Sequence, residues 1–162
     1  MSPRTEQKPA TGALYTPAER ARRDATVWTS VQGVLAPLQF LVFAISLVLV
    51  LRYLVSSAGY EAATWSILLK TAILYTIMIT GAIWEKVVFG QYLFAPAFFW
   101  EDVVSFGVIA LHTIYVYAVL TGALSPVEQM LLALAAYAIY VVNAGQFLWK
   151  LRVARLQGTV VA

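Results

Sequence analysis

Glu85, Glu101 and Asp102 are the residues of this 162-residue sequence best suited to acid–base chemistry. They sit in two Trp-Glu dipeptides, Trp84-Glu85-Lys86 and Trp100-Glu101-Asp102, which bracket a 14-residue stretch, Val87 to Trp100, with no charge and six aromatic rings. An ionised carboxylate at membrane depth is costly enough that its presence points to function. Acid–base catalysis needs one group to give a proton and another to take one. Carboxyls crowded together resist joint ionisation, which is one way to obtain that division.

The elements that must position these acids are membrane spans. The chain is 61% hydrophobic and 12% charged, with a mean hydropathy of +0.77. Charge-free runs extend from Ala25 to Leu51, Val103 to Val127 and Gln129 to Trp149, and Lys70 alone interrupts Ala62 to Trp84. A bilayer core takes about 20 apolar residues per helix, so the pattern predicts four spans, at about 27–53, 62–88, 99–120 and 126–155. The expected fold class is all-α, an integral membrane antiparallel four-helix bundle. Residues 1–26 read as a cytoplasmic tail with a short interfacial helix, 27–155 as the catalytic domain and 156–162 as a C-terminal tail. Within the first segment, residues 1 to about 13 read as disordered.

Local signals sharpen this outline. Thr16-Pro17-Ala18-Glu19 has the form of a capping box with proline at the first helical position. Pro37 lacks an N–H and predicts a kink in the first span. Gln32, Gln39, Ser46 and Tyr53 recur every seven residues, as expected of a seam facing other helices. Ser125-Pro126 predicts the cap and start of the last span.

Basic residues set the expected orientation. Arg4, Lys8, Arg20, Arg22 and Arg23 precede the first span, Lys86 ends the second, and Lys150, Arg152 and Arg155 follow the fourth. Arg52 lies on the other side, so both termini are expected to be cytoplasmic. The net charge of +3 is explained by basic flanks beside anionic lipid and implies no nucleic acid. Absence of cysteine excludes disulfides, thiolate nucleophiles and Cys-based metal sites. No phosphate-binding loop, Ser-His-Asp order or calcium loop occurs.

In such a bundle Glu85, near the end of the second span, and Glu101 and Asp102, near the start of the third, share one level. Asn143, Gln146 and Lys150, spaced i, i+3, i+7, form one face of the fourth span, and Gln32 and Gln39 approach from the first. Together these predict a polar pocket open to the cytoplasmic interface and roofed by Trp84, Phe89, Tyr92, Phe94, Phe98, Phe99 and Trp100. An interfacial aromatic belt is the competing reading of those rings. His112 is the only histidine, so neither a bis-histidine haem nor a three-histidine metal site can form within one chain. It is read as an open axial ligand for a pigment's magnesium or as a hydrogen-bonding group inside the bundle. Lys70 is read as an ion-pair or carbonyl partner, or as bundle glue.

The runs Trp28–Phe40, Ile83–Asp102 and Asn143–Phe147, the second carrying both Trp-Glu pairs, closely resemble the vinyl bacteriochlorophyllide hydratase family of phototrophic bacteria. The resemblance covers roughly Leu14 to Leu156. It implies a multi-pass enzyme of the inner or intracytoplasmic membrane. Such an enzyme adds water to the 3-vinyl group of chlorophyllide a or a bacteriochlorophyllide, giving the 3-(1-hydroxyethyl) product on the route to bacteriochlorophyll a. No cofactor is expected, magnesium entering only within the substrate macrocycle. The expected partners are that substrate and membrane lipid, with a homo-oligomer or other pigment-biosynthesis enzymes as further candidates.

For that reaction the expected catalytic residues are Glu101, Asp102 and Glu85. One of Glu101 and Asp102 would be the acid, and the other, or Glu85, the water-orienting base. Gln39, Asn143 and Gln146 would bind water or ring carbonyls, and Lys86 the substrate propionate. Trp84, Phe98 and Trp100 would pack on the macrocycle, and His112 could ligate its magnesium. A non-catalytic pigment-binding or assembly protein is the alternative, and a small transporter a weaker one.

Overall fold

The computed structural model describes residues 13–159, with side chains up to Leu156. The tail expected at residues 1 to about 13 lies almost wholly outside them. Five helices are present among these residues: α1 (Pro17–Ala25), α2 (Val27–Ser56), α3 (Tyr60–Phe89), α4 (Phe99–Thr121) and α5 (Pro126–Thr159). The last four are long and apolar enough to cross a membrane, and together they make this a multi-pass membrane protein.

Helix boundaries follow the expected chemistry and overrun it in places. The Thr16 side chain accepts from Glu19 N while Glu19 Oε2 accepts from Thr16 N, closing the capping box. Thr26 is both the end of α1 and the cap of α2. α2 runs to Ser56 and α3 begins at Tyr60, because no helix breaker intervenes before the tight turn, where Ser57 and Gly59 are left-handed (φ 55° and 87°). α5 opens on a Ser125–Glu128 capping box and continues past Arg155 to Thr159. Pro37 lies inside a helix that is continuous on both sides of it.

The seven-residue seam of α2 is the spine of the packing. Gln32 Nε2 donates to Thr80 Oγ1 (2.7 Å), Ser46 Oγ lies 2.7 Å from Ser66 Oγ and 2.6 Å from Tyr137 Oη, and Tyr53 packs on Tyr60. Gln39 and Ser46 are buried. Contacts of α2 with α3 and α5, and of α4 with α3 and α5, close the bundle around a core that includes Phe43, Val50, Ile67, Tyr115 and Tyr137. α1 folds back onto the end of α3, where Arg22 Nε donates to Val88 O (2.8 Å) and Tyr15 stacks on Phe89. Cations suit that position because the last carbonyls of a helix lack intrahelical donors.

Candidate active site

The three carboxylates converge at one end of the bundle and are buried: Glu85 is 5% exposed, Glu101 4% and Asp102 4%. What holds them there is the connection between α3 and α4. α3 stops at Gly90, whose left-handed backbone (φ 88°) lets its N–H close on Lys86 O. The chain then folds over the helix ends, and Phe94 adopts a left-handed conformation (φ 58°) uncommon for a bulky side chain. Its N–H donates to Asp102 Oδ2 (2.7 Å), and the next one, of Ala95, donates to Glu85 Oε2 (3.1 Å). Successive N–H groups around a left-handed residue make a concavity suited to negative oxygens. Glu85 and Asp102 are thereby held under the same turn, each by one of two successive N–H groups.

Glu101 faces elsewhere. One residue from Asp102 on a helix is a turn of about 100°, which directs it to α5. Lys150 Nζ lies 3.5 Å from its Oε2 and also donates to Ala97 O. Glu101 Oε2 is buried without a hydrogen bond, the ammonium standing beyond normal bonding range. Asn143 Nδ2 and Ser105 Oγ both donate to the Glu101 carbonyl (2.9 and 2.8 Å), and Ser105 Oγ also lies 3.1 Å from Asn143 Oδ1. The polar face expected on the last span therefore meets the start of α4.

Gln39 and Gln146 complete the polar level. The Phe43–Tyr140 contact and the Ser46–Tyr137 hydrogen bond fix the register of α2 against α5. One further turn brings Gln39 to the level of Asn143 and Gln146. Both amide atoms of Gln39 and Oε1 of Gln146 are buried without a hydrogen-bond partner. Buried polar atoms are ordinarily satisfied by protein or ordered water, so these groups suit a polar guest.

The aromatic roof divides in two. Trp84, Phe89 and Phe98 turn inward, packed on one another and, through Phe89 and Phe98, on Tyr15 and Phe147. Trp84 Nε1 also donates to Thr29 Oγ1 (2.9 Å). Tyr92, Phe94, Phe99 and Trp100 are exposed, Trp100 to 67%. They form an outer ledge in which Phe94 stacks on Phe106. The expectation of one continuous roof is corrected accordingly: successive helical side chains diverge by about 100°, so Trp100 stands with Phe99 on the outer ledge and points away from the acids that follow it.

Two further expected site residues lie apart from the carboxylates. Lys86 is exposed, its Nζ donating to Gly90 O (2.8 Å) and standing 5.3 Å from the Tyr92 ring. His112 is buried about three turns deeper. Its Nδ1–H donates to Val108 O (2.8 Å), leaving Nε2 to accept from Lys70 Nζ at 3.4 Å. Lys70, 0% exposed, rests over the rings of Tyr140, Tyr137 and Phe43, with no carboxylate among the described residues paired to it. The bundle-internal reading of His112 fits these contacts, and an axial bond to magnesium would require Lys70 to withdraw. Lys150 was on the polar face but not among the expected site residues; its i+7 spacing from Asn143 was the available signal.

Comparison with known proteins identifies the family. The sequence model described as 2-vinyl bacteriochlorophyllide hydratase matches residues 15–153. A curated 2-vinyl bacteriochlorophyllide hydratase of Rhodobacter capsulatus is 72% identical over 155 residues, 96% of this chain and 90% of that protein. One of Cereibacter sphaeroides is 76% identical over 143 residues, 88% of this chain and 89% of that protein. No solved structure matches. The family match covers α2 to α4 whole, α5 as far as residue 153 and the positions of all three carboxylates, and the chain belongs to the 2-vinyl bacteriochlorophyllide hydratase family.

Proposed function

We propose that this chain is a hydro-lyase acting in the direction of hydration, adding water to the 3-vinyl group of chlorophyllide a or a bacteriochlorophyllide. We take the 2-vinyl group in the relatives' names to be this same group. The product is the 3-(1-hydroxyethyl) macrocycle used in bacteriochlorophyll a synthesis. The observation that carries the reading is the set of three buried carboxylates, Glu85, Glu101 and Asp102, at one end of a bundle built for the membrane.

The chemistry balances with side chains alone. A carboxylic acid protonates the terminal vinyl carbon, leaving positive charge on the adjacent carbon, where the conjugated macrocycle delocalises it. Water attacks that carbon, and a carboxylate takes the proton released. No redox step occurs, and magnesium stays a part of the substrate. Gln39, Asn143 and Gln146 offer donors and acceptors for the water, while Trp84 and Phe98, packed inward here, offer ring surface to a flat macrocycle only once the chain over the acids moves. The acids lie beneath the 90–98 connection, so the vinyl group reaches them when that connection yields. Trp100 and the outer ledge then meet the pigment in the lipid, and Lys86 its propionate.

The same reading places the enzyme in the inner or intracytoplasmic membrane as an antiparallel bundle with both termini cytoplasmic. Residues 27–155 are the catalytic unit. The pairings of Gln32 with Thr80, Ser46 with Ser66 and Tyr53 with Tyr60 support opposed directions for α2 and α3, and the basic flanks support the orientation. Incubating the purified protein with chlorophyllide a tests the function. Hydration adds the mass of one water and moves the absorption bands to shorter wavelength. Pigment binding with no change in mass would instead establish a carrier.

A further inference from the structure

We propose that Lys150 is the positioning residue that makes Glu101 the base of the site, leaving the Glu85–Asp102 pair as the acid. The inference rests on the hydratase reading above. Its ground is that the three carboxylates have different partners. Glu85 and Asp102 take N–H donors from the successive residues Ala95 and Phe94, which holds the two carboxyls side by side under one turn. Two carboxyls so placed, with no cation between them, share a proton, which is what a donor to the vinyl carbon requires. Glu101 instead faces an ammonium, at 3.5 Å, and its Oε2 has no hydrogen bond. That oxygen is ion-paired but accepts no hydrogen bond, which leaves it equipped to accept a proton from water.

The charged and titratable groups facing Glu101 are few among the described residues. Asp102 is its neighbour on α4 and Lys150 is the cation from α5, while Glu85 of α3 is held with Asp102 under the turn. Lys86 is engaged outside with Gly90 O, and Arg22 with Val88 O. Lys150 is also fixed in place. Its Nζ donates to Ala97 O and lies 5.6 Å from the centre of the Phe98 ring, so one ammonium ties α5, the turn before α4 and Glu101 together. The step is balanced: water gives its oxygen to the carbocation, its proton passes to Glu101, and Lys150 keeps all of its own protons.

Four variants of the full chain, assayed in detergent on chlorophyllide a, test this. Lys150→Gln retains a donor for Ala97 O but removes the charge, and it is expected to lower kcat on the order of 100-fold with KM little changed. Lys150→Arg is expected to restore much of that loss. Glu101→Gln is expected to be as impaired as Lys150→Gln, and the double variant no worse than Glu101→Gln alone, because residues acting as a unit are not additive. Normal kcat in Lys150→Gln, or losses that multiply in the double variant, would overturn the assignment and leave Lys150 a structural tie. Absence of hydration by the unaltered protein would overturn the hydratase reading itself, which is a separate result.

Discussion

The N–H of Phe94 donates to Asp102 Oδ2 at 2.7 Å from a left-handed backbone, so the residue that opens the outer aromatic ledge also grips a buried acid. Asp102 therefore has two duties, and substitutions separate them. Asp102→Asn keeps an oxygen acceptor for Phe94 N, and we expect it to fold and insert normally while losing about 10²–10⁴-fold in turnover. Asp102→Ala orphans the part-buried N–H of Phe94 as well, a cost of about 1 kcal/mol. Thermal unfolding in detergent beside the mass-based assay distinguishes the two; equal stability of both variants would show that the grip contributes nothing.

Glu85→Gln probes the other half of the pair. The amide oxygen can still accept from Ala95 N, so the connection stays folded, but an amide carries no acidic proton to share with Asp102. Turnover should fall by about 10²–10⁴-fold, with pigment affinity, read by absorption titration, largely kept. Full activity would move the proton donor elsewhere.

Much of this arrangement was legible in the sequence, because membrane helices restrict where a chain can go. Four spans of fixed rise put Glu85, Glu101 and Asp102 on one level, and the seven-residue recurrence from Gln32 to Tyr53 marked a buried seam. Rotation about the helix axis was harder to read. Consecutive residues diverge by about 100°, so Trp100, Glu101 and Asp102 look outward, toward α5 and toward α3 respectively, and only packing against the neighbours says which. The clamp on the acids was hidden for another reason: it is made by backbone N–H groups of Phe94 and Ala95, and neither side chain announces it. In the sequence His112 and Lys70 stand as separate intramembrane groups, and their meeting depends on the register of α3 against α4.

That meeting carries its own prediction. Lys70 has His112 Nε2 and three ring faces around its ammonium, and cation–π contacts gain strength where water is excluded. His112→Leu removes the single nitrogen acceptor and should destabilise the bundle by about 1–3 kcal/mol. Adding Lys70→Met to it should recover stability, since replacing a buried charged group together with its partner is often neutral or favourable. A double variant less stable than His112→Leu would show that the ammonium contributes more than it costs.

Gln39 separates folding from function most cleanly. Its amide is buried in α2 with both polar atoms unpartnered, at the level of Asn143 and Gln146. Replacing an unsatisfied buried amide by an apolar group of similar shape removes a desolvation penalty, so Gln39→Leu should leave the unfolding temperature unchanged or higher. If the amide orients the attacking water, the same variant loses turnover, by about 10-fold for one hydrogen bond of about 1.4 kcal/mol in the transition state. The two readouts move in opposite directions under this account. A variant that is both less stable and fully active would show that Gln39 is a packing residue whose amide has partners in the membrane-embedded protein.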